Sequence, residues 1–115
     1  MTSPRSGVVI SYAFVDGFTR VACPDAIERL KQAVADAGGV IIDFALFGRD
    51  AMRLTTEVDA GAIGALQRDL QQAEVELFPR CLVELEDAKS MSATHRILAM
   101  VHVAFVPPEL EGLPA

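Results

Sequence analysis

The stretch RILAMVHVAFV, residues 96–106, decides how this chain folds. After Arg96 its only polar residue is His102, and the two-residue period of a strand makes both of its faces apolar. One face carries Ile97, Ala99, Val101, Val103 and Phe105, and the other carries Leu98, Met100, His102, Ala104 and Val106. A strand that is apolar on both faces needs cover on both. We therefore expect it to be central in a sheet or paired with another chain, because a long apolar edge strand promotes aggregation.

The composition is that of one small, acidic and unusually apolar domain. The chain has 115 residues, which is the usual size of a single hydrophobic core. Its hydrophobic fraction is 51% and its mean hydropathy is +0.33. So much apolar surface in so small a domain indicates that part of it lies against a partner chain.

Charge and cysteine usage narrow the partners and the compartment. The net charge is −6, and no run of Lys or Arg is present, which argues against nucleic acid and anionic membranes as partners. Asp16 and Arg20 interrupt the apolar segment that a signal peptide would need. Cys23 and Cys81 form no C-x-x-C motif, so we expect a cytoplasmic protein with free thiols, and a disulfide between them is an open alternative.

Two amphipathic helices are predicted from the spacing of apolar residues. The first begins at Pro24, a residue favoured in the first helical turn, and ends at Gly38-Gly39. The second follows Asp59, a favourable N-cap residue, and extends to about Gln72. Their apolar stripes have the same spacing and are Ile27, Leu30, Val34 and Ala37 in the first helix and Ile63, Leu66, Leu70 and Ala73 in the second.

Three strands are predicted besides 97–106. Residues 8–15 and 40–47 are rich in β-branched and aromatic residues, and residues 51–58 alternate between apolar and polar side chains. The Asp16-Gly17 dipeptide is expected to open a loop over 16–22. One or two further strands are expected within residues 75–86 around Pro79.

The order of these elements is similar to the β-α-β-β-α-β pattern of the ferredoxin-like superfold, an antiparallel sheet with two helices on one face. We expect a single α+β domain of this pattern over residues 8–106, with an extra C-terminal strand or hairpin. Residues 1–7 are expected to be a disordered leader, and 107–115 a Pro-rich tail. Strands 8–15 and 97–106 are expected to be central neighbours. Whether 75–86 or 97–106 is the central last strand is left open.

The uncovered face of the sheet is the predicted binding site. Placing the more apolar side of each strand against the helices leaves a few polar residues on this face among apolar ones such as Val9, Ala13, Ile41 and Met100. The predicted ligand-binding residues are Ser11, Asp43, Arg53, Glu57 and His102. A histidine beside a carboxylate can also move a proton, which makes His102 and Asp43 catalytic candidates. The alternative for His102 is a structural, hydrogen-bonded ring in a core or interface.

The position of Asp43 depends on the turn between residues 47 and 51. A two-residue turn at Arg49-Asp50 would place Asp43 on the same face as Leu54, whereas a three-residue turn keeps it outward. If Asp43 lies on an edge strand three positions from the last strand, it is roughly 14 Å from His102. The two residues would then meet only across a dimer.

Three further sites are weaker candidates. Cys23 is expected to be the N-cap of the first helix, where the helix dipole favours a thiolate, although it is also compatible with a structural role. The segment 87–96, which contains Ser90, Ser92, Thr94 and His95, is either a ligand mouth or a mobile connector. The 16–18 loop with Arg20 is a possible anion site. Cys81, His95 and His102 lack the spacing of metal ligands, so no metal or cofactor is expected.

These patterns favour a small homo-oligomeric binding module, a homodimer or larger, with a regulatory or assembly role. Its open sheet face would receive a partner chain or a small ligand, and under this interpretation the protein is not an enzyme. The alternative is a small cofactor-independent enzyme of isomerase or oxygenase type, in which dimerisation builds a pocket that contains His102 and either Asp43 or Glu57. A thiol-dependent role of Cys23 is the third hypothesis.

Overall fold

The computed structural model describes residues 10–106, with only the backbone described for Ile10 and Cys23. The predicted leader and the Pro-rich tail therefore lie outside the described residues. The elements, in chain order, are β1 (Ile10–Thr19), α1 (Cys23–Asp36), β2 (Val40–Phe47), β3 (Ala51–Asp59), a 3₁₀ turn (Ala60–Ala62), α2 (Ile63–Gln72), β4 (Val75–Leu77), α3 (Pro79–Lys89) and β5 (Arg96–Phe105).

The described chain is an α+β fold with three helices and a five-stranded mixed sheet in the order β2-β3-β5-β1-β4. The predicted α+β class is confirmed, but the prediction of a purely antiparallel sheet with two helices is wrong. β5 pairs antiparallel with β3 and parallel with β1. The reason is α3, which separates β4 from β5 and carries the chain past β1 instead of closing a hairpin.

β5 lies in the middle of the sheet. It pairs with all ten residues of β1, from Ile10 opposite Arg96 to Thr19 opposite Phe105, and with the whole of β3 on its other side. The prediction that 97–106 is central and adjacent to the first strand is confirmed. The residues of β5 that face the helices are fully buried and are Ile97, Ala99, Val101 and Val103.

The core lies between the sheet and the helices α1 and α2. The predicted stripes supply it, since Leu30 and Val34 of α1 and Leu66 and Leu70 of α2 are all buried. Both helices end close to the predicted positions, α1 just before Gly38, whose positive φ of 80° suits glycine. Burial of one such leucine contributes roughly 1.5–3 kcal/mol to stability. The helical spacing of these residues therefore influences where the helices form more than the rest of the helix composition does.

Residues 16–19 continue β1 and do not form the predicted loop. Phe18 lies opposite Glu76 of β4, and the amide of Phe78 donates to the carbonyl of Asp16 at 2.9 Å. A Cβ at Gly17 would lie 2.5 Å from the carbonyl oxygen of Glu76, so glycine permits the close approach of β4. The Asp-Gly turn signal is therefore overridden by strand pairing.

Residues 79–86 belong to a helix and not to the expected strand. Pro79 occupies the first turn of α3, and the buried residues Cys81, Leu85 and Ala88 recur at helical spacing. The helix covers the edge of β1 beyond the end of short β4, where the Phe14 amide donates to Oε1 of Glu84 at 3.1 Å. This cover removes an exposed strand edge, which would otherwise invite association.

Candidate functional site

The candidate site is the face of the sheet opposite α1 and α2, here called the open face. The ladder registers and the alternation of burial assign it four residues from each of the strands β1, β5, β3 and β2. These are Tyr12, Phe14, Asp16 and Phe18 of β1, Leu98, Met100, His102 and Ala104 of β5, Ala51, Arg53, Thr55 and Glu57 of β3, and Val40, Asp43, Ala45 and Phe47 of β2.

Large aromatic side chains on the open face are exposed. Tyr12 and Phe14 are 59% and 55% exposed, although β1 has β5 on one side and β4 and α3 on the other. Phe18 is better covered because its ring lies 5.9 Å from the ring of Phe78. An apolar patch in the middle of a sheet marks a binding surface more often than an isolated surface residue does.

A row of polar side chains, here called the polar row, crosses this apolar surface from α3 to β2. Nδ1 of His102 lies 3.3 Å from Oδ1 of Asp16, the residue opposite it in the β1–β5 ladder. Arg53 lies opposite His102 on the other side and reaches Oδ2 of Asp43 at 3.9 Å. At the α3 end, Arg80 Nη2 lies 3.2 Å from Oδ2 of Asp16. The row therefore reads Arg80, Asp16, His102, Arg53 and Asp43 across the sheet.

A depression of about 410 Å³ adjoins the polar row. This volume is within the range of small-molecule sites. The residues that line it are Phe14, Val15, Asp16, Arg53, Met100 and His102. Apolar side chains thus stand beside one carboxylate, one guanidinium and one imidazole, a combination that can hold an amphipathic group and exchange a proton with it.

The structure brings Asp43 and His102 closer than expected. Phe47 lies opposite Ala51, so the turn has three residues, and Asp43 points to the open face as that turn alternative predicted. The expected separation of three strand positions is wrong, because β5 is only two positions from β2. Arg53 stands between the two residues, which therefore belong to one polar row within a single chain.

Ser11 does not lie on the open face. It shares the helix-facing side of β1 with Ala13 and Val15, which are buried, and its Oγ is 2.8 Å from Nε2 of His95. Ala13 and Ile41 are likewise on the helix side, Ile41 lying opposite the buried Thr56. Both sides of β1 are apolar in sequence, so the choice of the inward side required the tertiary structure.

Glu57 lies on the open face but is engaged elsewhere. It is opposite Leu98, four residues along β5 from His102, or roughly 13 Å at the usual rise of a strand. Its Oε1 pairs with Arg96 at 2.9 Å, and Arg96 also reaches Asp59 at 2.6 Å. Hydrogen bonds from Arg96 to Asp59 and to Glu57 raise the pKa of its guanidinium above the ordinary value. The carboxylate expected as an N-cap of α2, Asp59, is thus part of this ion pair.

Sequence inspection missed the two residues that organise the site. The sequence predicts Asp16 in a loop, yet its carboxylate lies 3.3 Å from Nδ1 of His102. The expectation that Ala13 faces outward places Phe14 on the helix side, yet Phe14 is exposed beside the depression. The available signal was the period of two that continues from Tyr12 through Phe18, which the Asp-Gly dipeptide obscured.

The remaining candidates fall outside the polar row. Cys23 is the first residue of α1 with Ala22 as its N-cap, so the prediction of Cys23 as the N-cap is wrong by one residue, and its side chain is outside the described part. Cys81 is a free, buried thiol whose Sγ lies 3.5 Å from the carbonyl oxygen of Asp16, which removes the disulfide alternative. Among the described residues, no group of His, Cys, Asp and Glu is placed to hold a metal ion.

The segments expected to form a ligand mouth and an anion site have structural partners. The loop that follows α3 is tied to the 3₁₀ turn, because the Ala60 amide donates to the carbonyl of His95 at 2.8 Å. Arg20 pairs with Glu76 at 2.9 Å on β4, and residues 16–18 form a strand, so the predicted anion loop is wrong. Within residues 10–106, no helix is long and apolar enough to cross a membrane.

The geometry of the open face is the basis for any functional assignment. Comparison of the chain with models of known families, with curated proteins and with solved structures finds no match in any of the three.

Proposed function

We propose that the protein is a small binding module, with a regulatory or assembly role, that receives a partner chain or small ligand on its open face. The observation that carries this proposal is the exposure of Tyr12 and Phe14, each more than half exposed on an interior strand. Exposed aromatic residues at such positions are costly to keep in water and are enriched in binding surfaces.

The magnitude of the apolar contribution fits a surface that binds as a whole. Covering roughly 100 Å² of each aromatic ring contributes about 2.5 kcal/mol, or about 5 kcal/mol for Tyr12 and Phe14 together. Association costs at least about 4 kcal/mol in lost translational and rotational freedom. The two rings therefore barely offset that cost, and the neighbouring Leu98, Met100 and Phe47 have to take part.

The polar row supplies orientation. Buried polar groups reject partners that leave them unpaired, so a row of alternating charge across an apolar face favours one orientation of the bound partner. Asp16 and Arg53 on either side of His102 are the groups that such a partner would have to match.

The second candidate is a cofactor-independent enzyme of isomerase or oxygenase type. The observation that favours it is the contact between His102 Nδ1 and Asp16 Oδ1 beside the 410 Å³ depression. A carboxylate can orient an imidazole that takes a proton from a bound substrate. Asp16 replaces Asp43 and Glu57 as the partner of His102 in this hypothesis. It predicts a turnover that His102→Ala abolishes, whereas the binding module has no turnover to lose.

The broader architecture and compartment are also proposals. Removal of β5 from the sheet leaves the order β2-β3-β1-β4, so we interpret the fold as a ferredoxin-like unit widened by one strand. The free Cys81 fits a reducing compartment such as the cytoplasm. A thiol-dependent role of Cys23 stays a prediction, to be tested with Cys23→Ser.

The binding proposal is tested with Phe14→Glu, which places a charge on the open face. The matched control is Val83→Glu, at a residue that is 66% exposed and belongs to α3, not to the strands that form the open face. Two measurements cover both kinds of occupant: native mass by light scattering over a dilution series, and thermal unfolding with a panel of small amphipathic acids and amines. We expect Phe14→Glu to reduce self-association or a ligand-dependent rise in Tm, and Val83→Glu to change neither. If the two variants behave alike, the open face is not the binding surface.

A further inference from the structure

We propose that the open face is covered by a second copy of this chain, packed face to face about a twofold axis that runs along β5. The inference rests on the proposed function and names its partner. It is drawn from two properties of the open face, its charge order and its distribution of large and small side chains, which are both self-complementary about that axis.

The charge order is reversed by the proposed axis. Asp16 and Arg53 lie at the same level on opposite sides of His102, because each is opposite it in a ladder. A twofold axis that lies between two sheets and runs parallel to the strands reverses the strand order of the facing copy. Arg53 of one copy then lies over Asp16 of the other, and this pairing occurs twice, while His102 meets its own copy on the axis.

The outer charges are less regular than the inner pair. Asp43 stands beyond Arg53 at one end of the polar row, and Arg80 stands beyond Asp16 at the other. Asp43 is opposite Thr55, two residues along β3 from Arg53, and Glu84 contacts the Phe14 amide at that level, so reversal brings Asp43 near Glu84 as well as Arg80 and the complementarity rests on Arg53 and Asp16. Electrostatic complementarity of this kind sets orientation and suppresses wrong arrangements.

The charges also exclude the other simple twofold arrangement. An axis in the interface that runs across the strands, along the polar row, would leave the strand order unchanged. Arg53 would then face Arg53, and Asp16 would face Asp16, in the second copy. Like charges juxtaposed at an interface cost several kcal/mol, so the axis along β5 is favoured.

Side-chain size shows the same complementarity. Phe14 and Thr55 are both opposite Met100, and Phe18 and Ala51 are both opposite Ala104. Reversal about β5 thus places Phe14 and Phe18 of β1 over smaller residues of β3 in the second copy. At the level of Leu98 it places Tyr12 over Glu57, a phenol that can donate to a carboxylate. Facing sheets in proteins pack about 10 Å apart with interdigitated side chains, which these pairs permit.

The area of the open face lies near the lower limit for a stable dimer. Five strands span roughly 20 Å, and nine residues of strand span roughly 30 Å, so the planar area is about 600 Å² before side-chain relief is counted. A standard protein interface buries about 800 Å² on each partner. The area is adequate only if most of the open face takes part, as the axis along β5 requires.

A different surface competes as the place of self-association. Val40 and Ile42 on the edge strand β2 are 57% and 55% exposed, and an edge strand of eight residues can pair with a second copy. Such pairing would leave Tyr12 and Phe14 uncovered. Crosslinking at Ile42 of β2 and at Met100 of β5 distinguishes the two arrangements.

The first experiment uses two charge-reversal variants, each of which is expected to dimerise poorly with itself but to dimerise with the other variant. Asp16→Arg places like charges over Arg53 of the second copy, and Arg53→Asp places like charges over Asp16. We expect the dimer dissociation constant of each variant to rise at least about tenfold above that of the unsubstituted protein. In an equal mixture the introduced arginine faces the introduced aspartate, so a heterodimer of nearly unsubstituted affinity is expected. Two variants that dimerise normally alone, or that fail to associate when mixed, would overturn the proposal.

The second experiment identifies the axis. Met100 lies on β5, so in the proposed dimer it faces its own copy, and Met100→Cys should be linked into dimers by a bismaleimide that spans about 10 Å. An axis across the strands would move the two positions apart. The unsubstituted protein, which retains Cys23 and Cys81, is the control for native thiols. Ile42→Cys on β2 is the matched comparison, and linkage there but not at Met100 would establish edge pairing and overturn the proposed axis.

The failure of this inference differs from the failure of the proposed function. A protein that is monomeric at every concentration, yet loses a ligand-dependent rise in Tm through Phe14→Glu, would refute the second copy and keep the binding module. A monomer whose thermal unfolding responds to no compound would contradict both.

Discussion

Nδ1 of His102 lies 3.3 Å from Oδ1 of Asp16, directly across the parallel ladder that joins β5 to β1. The pair exists because a helix, α3, brings the chain back beside its first strand, so that two residues 86 positions apart (16 and 102) become nearest neighbours on the open face. Asp16 also accepts from Arg80 of α3 and therefore connects the helix to the centre of the sheet.

Asp16→Asn is expected to lower stability only slightly. The ion pairs of Asp16 with Arg80 and His102 are partly exposed, and such pairs contribute about 0.2–1 kcal/mol, less at high salt. Urea unfolding at low and high ionic strength measures the difference. Asp43→Asn at the other end of the polar row, 3.9 Å from Arg53, is the comparison and should change less. A loss of several kcal/mol from Asp16→Asn would mean that the pair is a buried structural element.

Gly17→Ala is expected to destabilise the junction of β1 and β4. The added Cβ would lie 2.5 Å from the backbone oxygen of Glu76, so β4 has to move and overpacking of this kind costs about 1–3 kcal/mol. The measurement is the free energy of unfolding in urea. Gly64→Ala near the start of α2 is the matched control, because its nearest neighbour is Cε of Lys89 at 3.9 Å. That change should stabilise by up to about 1 kcal/mol through helix propensity.

Arg96→Met is expected to destabilise the lower end of the β3–β5 ladder by about 1 kcal/mol or less, since its two ion pairs are partly exposed. Because the pKa of Arg96 is raised in the folded protein, its contribution to stability is fully present below the unfolded pKa and is lost only as the pH rises through the higher folded pKa. The guanidinium therefore stays charged near neutral pH, so the loss of stability caused by Arg96→Met should not change with pH in that range.

Salt provides the control for that prediction. Added salt should reduce the difference between Arg96→Met and the unsubstituted protein, because the pairs are screened. Arg68→Met, which removes a single exposed contact of 3.6 Å to Asp69, should change the unfolding free energy by less than Arg96→Met does. Equal effects of the two substitutions would contradict the importance of the Arg96 cluster.

Glu84→Ala is expected to expose the edge of β1. The carboxylate of Glu84 accepts a hydrogen bond from the Phe14 amide at 3.1 Å, where β4 no longer pairs with β1. Hydrogen exchange at the Phe14 amide should become faster, by about tenfold if the hydrogen bond is worth about 1.4 kcal/mol. Glu86→Ala, on the same helix but paired with Lys89, is the control and should leave this amide unchanged. Unchanged exchange in Glu84→Ala would show that burial alone protects the edge.

The sequence alone determined the helices and strands whose buried side is evident from their own residues, without knowledge of the neighbouring elements. The apolar stripes of α1 and α2 predicted both helices, because a 3.6-residue period identifies the buried side of a helix by itself. Alternation in β3 identified Arg53 and Glu57 as outward residues, because only one side of that strand is apolar. The two apolar faces of β5 predicted a strand that is either central in the sheet or paired with another chain, because an exposed edge would leave an apolar face in water.

Tertiary structure decided the features that depend on what lies alongside. Both sides of β1 are apolar, so only its packing against the helices placed Ala13 inward and Phe14 outward. The Asp16-Gly17 signal favours a turn locally, but pairing with β4 satisfies more backbone groups and keeps the strand extended. The polar row follows from the insertion of β5 between β1 and β3, since a strand acquires its neighbours from chain topology and not from its own residues.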